Sequence, residues 1–146
     1  MSECHVYIET SIRWPRQGSG IVGIIFTNVD DTDSKTLFGQ VKDSTEYRAV
    51  LFGIKNALRY CRGYDVINLH LTCNYVGNAF RWIEMWEKTS FVTAKNRPVK
   101  NNDLWQEIAK EIKNKQLVIH LNEFNGYRKW LKVECDNRGR KHGFIL

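Results

Sequence analysis

The sequence predicts an α/β fold with a five-stranded mixed sheet flanked by helices. Three strand-like runs open the chain with short connections, which is typical of an antiparallel meander. Helical and strand-like periods then alternate, which predicts parallel crossover connections. With 146 residues, the chain has the usual length of one domain, so we expect a single domain over residues 1–146.

The first three strands are predicted from alternating and β-branched runs. These runs cover residues 4–10, 20–28 and 36–41. Pro15 and Gly18 predict a loop over residues 12–19, and the aspartates of residues 29–34 predict a polar turn.

A helical stripe follows over residues 45–62. Its apolar positions are Val50, Leu51, Ile54 and Leu58. Asp43 and Glu46 stand three residues apart and predict a capping box at its start. Gly63 ends the helix, and residues 66–71 form the fourth strand. The third strand, this helix and the fourth strand together have the length of a crossover unit. We therefore expect the first and fourth strands to be parallel neighbours.

The second half of the chain is predicted to contain three more helices and one strand. The helices cover residues 75–88, 102–113 and 130–136, the strand covers residues 117–121, and residues 90–100 form an irregular basic segment. Gly139 and Gly143 argue against a longer final helix.

The composition excludes several classes of protein. Hydrophobic residues make up 42% of the chain, which excludes a disordered tail. The longest apolar stretch, residues 20–26, is too short to cross a bilayer. Four cysteines without a CxxC pair predict reduced thiols rather than a zinc site. We expect a monomeric, cytoplasmic protein that does not associate with membranes.

The charge is concentrated in the second half. The chain holds 22 Lys and Arg against 16 Asp and Glu, a net charge of +6. Residues 81–100 contribute +3 and residues 126–146 contribute +4. Such a surface attracts polyanions and makes their binding depend on salt. The alternative is a solvated surface that serves solubility only.

Several stretches, in order, resemble type 1 ribonuclease H. Residues 82–106, WIEMWEKTSFVTAKNRPVKNNDLWQ, resemble the basic handle of the family and the PVKNxDLWQ start of the helix after it. Four shorter matches are YIETS with xxTDGS, STEYRAVLFGIKNAL with MELxAxxxAL, LTCNYV with TDSxYV, and VECDNR with ERCDELA. The resemblance implies a ribonuclease H-like fold. It also implies hydrolysis of the RNA strand of an RNA–DNA hybrid by two metal ions held by four carboxylates.

Only two of the four carboxylate positions of the family hold the same residue type in this sequence. By the resemblance, Glu9, Glu46, Asp136 and Thr72 stand at the catalytic positions, and Glu9, Glu46 and Asp136 would hold Mg²⁺ or Mn²⁺. Glu9 replaces an aspartate, and Thr72 carries no charge. We therefore expect weakened metal binding and reduced turnover. The sequence leaves open whether the domain is a slow endoribonuclease, a nucleic-acid-binding module without catalysis, or a protein-interaction use of the fold.

Each surviving acid also has a structural alternative. Glu46 could serve only in the capping box, and Asp136 could pair with Arg138 or Arg140 at the surface. Glu9 requires a partner, because it is a carboxylate in the middle of a predicted strand.

The resemblance also implies a surface for the nucleic acid. The residues implied are Lys42, Asn74, Trp82, Trp86, Lys88, Lys95, Arg97 and Lys100. Lysines and arginines there would contact phosphates, and exposed aromatic rings would contact sugars or bases. The alternative for the tryptophans is packing in the core, which we favour for Trp105.

Overall fold

The computed structural model describes residues 2–28 and 33–143, and its centre is a five-stranded sheet. The strands are β1 (Glu3–Thr10), β2 (Gln17–Asn28), β3 (Ser34–Thr45), β4 (Val66–Leu71) and β5 (Gln116–Leu121). Their order in the sheet is β3-β2-β1-β4-β5. β1 to β3 pair antiparallel, whereas β4 pairs parallel with both β1 and β5. The predicted mixed sheet and the parallel pairing of the first and fourth strands are confirmed.

Five helices pack around the sheet in the described part of the chain. They are α1 (Glu46–Leu58), α2 (Asn74–Ala79), α3 (Ile83–Lys88), α4 (Asn102–Ile112) and α5 (Arg128–Lys141). The helix predicted over residues 75–88 is divided into α2 and α3 by a 3-10 turn at Phe80–Trp82. Phe80 in this turn is buried and packs edge-on against Trp105, with ring centroids 5.0 Å apart.

The alternation of β1 places its residues on two faces of the sheet. Cys4, Val6 and Ile8 belong to the main hydrophobic core together with the buried residues of α1. Glu9 follows on the opposite face, where α5 packs across β1 and β2. The approach of α5 depends on Gly23, because a Cβ there would lie 2.7 Å from the Sγ of Cys135. This packing holds α5 close to the end of β1.

Two predicted boundaries at the start of the chain are wrong. β2 begins at Gln17, so the loop predicted over residues 12–19 is shorter. β3 continues to Thr45, whose side chain caps α1 by accepting a hydrogen bond from Arg48 N at 3.2 Å. Asp43 therefore lies inside a strand and is not the capping residue that the sequence predicts. The turn predicted over residues 29–34 falls largely on residues 29–32, outside the described residues.

The final helix is longer than predicted. α5 runs through Gly139 to Lys141, although glycine weakens helices in general. Gly139 is buried, and the guanidinium of its neighbour Arg138 lies 3.8 Å from the centre of the Phe38 ring. Packing against the sheet therefore outweighs the low helix propensity of glycine. Within the described residues, none of the helices combines the length and the apolar character needed to cross a membrane.

Candidate active site and nucleic-acid interface

Glu9 and Thr72 meet at one edge of the sheet. Glu9 is the penultimate residue of β1, and Thr72 directly follows β4. Because β1 and β4 are parallel, their carboxyl ends lie together. The Thr72 hydroxyl donates to Glu9 Oε2 at 2.8 Å and approaches Oε1 at 3.0 Å. Glu9 is only 7% exposed, so this hydroxyl supplies the partner that a buried carboxylate requires.

The surroundings of Glu9 disfavour its charged form. Burial raises the pKa of the Glu9 carboxyl, and the negative charge of Glu46 acts in the same direction. The hydrogen bond from Thr72 and the positive charges of Lys132 and Arg128 oppose this rise without cancelling it.

Glu46 faces the same cavity as Glu9. It is the first residue of α1, and its Oε1 accepts a hydrogen bond from Trp14 N at 3.4 Å. The cavity has a volume of about 630 Å³ and is lined by Glu9, Glu46 and Thr72, among others. Three of the four predicted catalytic residues therefore lie together.

Asp136 is held by two cations beside this cavity. Arg13 Nη2 lies 2.8 Å from Asp136 Oδ2, and Lys132 Nζ lies 3.9 Å from Oδ1. Asp136 is not among the residues that line the cavity, whereas Arg13 and Lys132 are. The surface pairing considered from the sequence is wrong, because Arg138 pairs with Glu134 and Arg140 bonds to Asn137.

Basic side chains outnumber acidic ones in the cavity. Arg13, Arg128, Lys129 and Lys132 line it together with two glutamates. Sequence reasoning missed this cluster, although one signal was present. Lys132 stands four residues before Asp136, a spacing that places both side chains on one face of a helix.

The residues present do not fit the pair of divalent ions that the resemblance implies. Two dications require several free anionic oxygens at short range. Here the one hydroxyl of Thr72 is shared between the two oxygens of Glu9. Asp136 pairs with Arg13 and Lys132, and among the described residues its Oδ1 is buried without a hydrogen-bond partner. Over residues 2–28 and 33–143, no group of three His, Cys, Asp or Glu side chains is placed to hold a metal ion. The assignment of Glu9, Glu46 and Asp136 as metal ligands stays a prediction from the resemblance.

A second cavity lies along α2, α3 and the segment that follows them. Its volume is about 800 Å³, and its lining includes Tyr75, Trp82, Met85 and Trp86. Trp82 is 51% exposed, whereas Trp86 is half-buried and packs edge-on against Trp105, with ring centroids 5.4 Å apart. Trp105 is buried in the core, as expected. Of the two tryptophans among the predicted contact residues, Trp82 therefore has an exposed ring and Trp86 forms part of the wall.

The predicted basic contacts belong to the same segment of the chain as part of this lining, although they do not themselves line the cavity. Lys88, Lys95, Arg97 and Lys100 are all exposed. None of these four forms an ion pair with an acidic side chain of the described residues. Lys88 ends α3, and Lys95 stands between Ala94 and Asn96 of the cavity lining. We call the segment 82–100 the handle.

Lys42 and Asn74 complete the predicted interface. Lys42 is exposed on β3, shortly before α1. Asn74 begins α2, and its Oδ1 accepts a hydrogen bond from Asn122 Nδ2. The amide of Asn74 is thus tied to the end of β5 rather than to Glu9.

The sequence is similar to known ribonucleases. A family model described as RNase H matches residues 2–123. A ribonuclease H of Thermoanaerobacter sp. (strain X514) is 34% identical over 91 residues, which cover 61% of this chain and 49% of that protein. The chain therefore spans about half the length of this relative.

Solved structures share the fold at low sequence identity. The foamy viral protease-reverse transcriptase in complex with RNA/DNA hybrid superposes with a TM-score of 0.74 at 16% identity, over 94% of this chain and 20% of that chain. The N-terminal RNase H domain of rv2228c from Mycobacterium tuberculosis gives 0.67 at 11% identity, over 98% and 99% of the two chains. Since the family model matches most of the sequence and the sheet has the order of these domains, this chain belongs to the RNase H family.

Proposed function

We propose that this domain binds RNA–DNA hybrids and has lost metal-dependent cleavage of the RNA strand. The observation that carries the proposal is the contact between Thr72 and Glu9, in which one hydroxyl engages both oxygens of the buried carboxylate. A metal ion would compete with this hydroxyl for the Glu9 carboxylate and would also enter a cavity with an excess of basic side chains. Both steps oppose metal binding.

The handle supports binding. The second cavity combines the exposed ring of Trp82 with an apolar wall. Lys88, Lys95 and Arg97 are exposed next in sequence to residues of its lining, and among the described residues they form no ion pair. Basic side chains release counterions from a nucleic acid, and aromatic rings stack on sugars or bases. Glu84 and Glu87 on α3 reduce the local charge without reversing it.

A slow metal-dependent endoribonuclease is the competing function. Glu9 and Glu46 line one cavity, which favours this alternative. It requires Mg²⁺ or Mn²⁺ to bind beside the contact between Thr72 and Glu9, in the presence of the neighbouring cations. The protein-interaction use of the fold has no comparable support, because the handle combines exposed cations with the exposed aromatic ring of Trp82.

One experiment separates these functions. A labelled RNA–DNA hybrid, duplex DNA and duplex RNA are titrated with the protein at increasing salt, and the RNA strand is then analysed for breaks with Mg²⁺ and with Mn²⁺. We expect salt-dependent binding, tightest for the hybrid, and an intact RNA strand. Cleavage that Glu46→Gln abolishes would establish the enzyme instead. Absence of binding to any duplex at low salt would overturn the proposal.

A further inference from the structure

The cavity at the end of β1 has the charge of an anion-binding site rather than that of a metal site. Four cationic side chains and two carboxylates line it, and a third carboxylate, Asp136, pairs with Arg13 and Lys132 beside it. Trp14 is 63% exposed and Phe124 is 98% exposed, and both rings line the same cavity. Charged side chains and exposed aromatic rings thus line the same cavity.

Lys132 is fixed beside Glu9 by the backbone. Its Nζ donates a hydrogen bond to the carbonyl oxygen of Thr10, the residue after Glu9. Only 28% of the side chain is exposed, so the ammonium group is confined to this position. An ammonium carries three N–H donors. In the described part of the chain, Thr10 O is the one hydrogen-bond acceptor of Lys132, which leaves donors for a ligand.

Arg13 and Arg128 approach the cavity from two other segments. Arg13, in the connection between β1 and β2, uses Nη2 to contact Asp136, and half of its side chain is exposed. Arg128 begins α5, and its Nη2 donates to Asn122 Oδ1 at 3.4 Å. A guanidinium has five N–H donors, so each of these arginines retains donors that can reach an anionic oxygen.

We infer that this cavity binds a backbone phosphate of the nucleic acid directly, through Lys132, Arg13 and Arg128, without a divalent ion. The inference rests on the proposed function, because it names how the hybrid is held at the site where the family implies metals. In a two-metal site, dications neutralise the phosphate oxygens. Here the side chains of Arg13, Arg128 and Lys132 would supply that charge in place of metal ions. Charge-assisted hydrogen bonds from lysine and arginine are strong ligands of phosphate.

The test measures binding of a fluorescent RNA–DNA hybrid in EDTA across a range of salt concentrations. Wild type is compared with Lys132→Met and with Lys110→Met, which removes the same charge from an exposed site. Lys110 lies in the last turn of α4, whose first turn contacts the start of α1 through Arg48 and Asp103. It therefore lies toward the end of α4 remote from Glu46.

We expect wild type to bind in EDTA. We expect Lys132→Met to weaken binding about tenfold and to reduce the slope of log K against log salt by about one, as for one lost phosphate contact. Lys110→Met should stay within about twofold of wild type. Arg13→Gln is a second variant at a more exposed position, and its effect should resemble that of Lys132→Met.

The outcomes separate the inference from the proposed function. If wild type binds the hybrid neither in EDTA nor with Mg²⁺, the proposed function fails. If binding requires Mg²⁺, the proposed function stands and direct phosphate binding is overturned. The inference is equally overturned if folded Lys132→Met and Arg13→Gln, verified by thermal unfolding, retain the affinity and salt slope of Lys110→Met.

Discussion

The hydroxyl of Thr72 lies 2.8 and 3.0 Å from the two carboxylate oxygens of Glu9. The two residues stand where the family resemblance implies two metal-binding acids. Here Thr72 donates a hydrogen bond to Glu9, so the buried carboxylate has a donor within the pair. A buried carboxylate with a hydrogen-bond donor is a stable arrangement without any metal ion.

Thr72→Val tests how much this contact stabilises the fold. Valine keeps the shape of threonine but lacks its hydroxyl. Among the described residues, this hydroxyl is the one side-chain group that donates a hydrogen bond to the Glu9 carboxylate. We expect the free energy of unfolding to fall by about 1–3 kcal/mol, because a buried acceptor loses its donor. Urea denaturation measures the change. The matched control is Thr36→Val on exposed β3, expected within about 0.5 kcal/mol of wild type. Equal losses at the two sites would contradict the account.

Glu9→Gln should stabilise the protein at neutral pH. Burial raises the pKa of the Glu9 carboxyl, which means that the carboxyl ionises less readily in the folded protein than in the unfolded chain. Above its pKa the carboxylate therefore subtracts from stability. A neutral amide removes this cost and still accepts from Thr72. We expect a gain of about 0.5–2 kcal/mol in urea denaturation at neutral pH. A loss of stability would show that the ionised form is the one that the site favours.

His70 should make stability depend on pH. Its ring stacks between Tyr7 and His120, with centroids 4.2 and 4.3 Å away. Burial lowers the pKa of His70 to about 4 from 6.5, the neighbouring charges of His120 and His5 act in the same direction, and Glu123 opposes them. As the pH falls below 6.5, the unfolded chain binds the proton first. Stability is therefore lost between these two values.

The variant His70→Phe keeps an aromatic ring between Tyr7 and His120 but cannot titrate. We expect wild type to lose about 1–2 kcal/mol more than this variant when the pH is lowered from about 7 to about 5. Urea denaturation at both pH values gives the comparison. The same loss in both proteins would show that other groups cause the pH dependence.

The two tryptophans of the handle should respond differently to truncation. Trp82 lines the second cavity and is 51% exposed, so Trp82→Ala should weaken hybrid binding and change the melting temperature little. Trp86 packs against Trp105, so Trp86→Ala should lower the free energy of unfolding by about 3 kcal/mol. Anisotropy titration and thermal unfolding of both variants provide the readouts. If Trp82→Ala binds the hybrid with unchanged affinity, the second cavity does not contact the nucleic acid.

The sequence predicts the sheet well because its signals are local and repeated. The predicted strand, helix and strand over residues 36–71 have the length of a crossover, and β1 and β4 are indeed parallel neighbours. Boundaries are less predictable, since they depend on tertiary contacts. Gly139 argues for an early end of α5, yet packing of Arg138 on Phe38 extends the helix.

The candidate site is predictable only in part. The positions of Glu9, Glu46 and Thr72 follow from the family resemblance, and the three residues line one cavity. The cations do not follow from it. Arg13 reaches Asp136 from 123 residues away in sequence, a contact that depends on how the connection after β1 meets α5. No local pattern encodes such a meeting.

The most direct test of the central claim is the affinity for an RNA–DNA hybrid as a function of Mg²⁺ concentration at constant ionic strength. If side-chain cations hold the phosphate, the dissociation constant should stay within about twofold from EDTA to millimolar Mg²⁺, and the RNA strand should stay intact. A tenfold or greater gain in affinity with Mg²⁺, accompanied by cleavage of the RNA strand, would contradict the account, because it would require a working metal site at Glu9, Glu46 and Asp136.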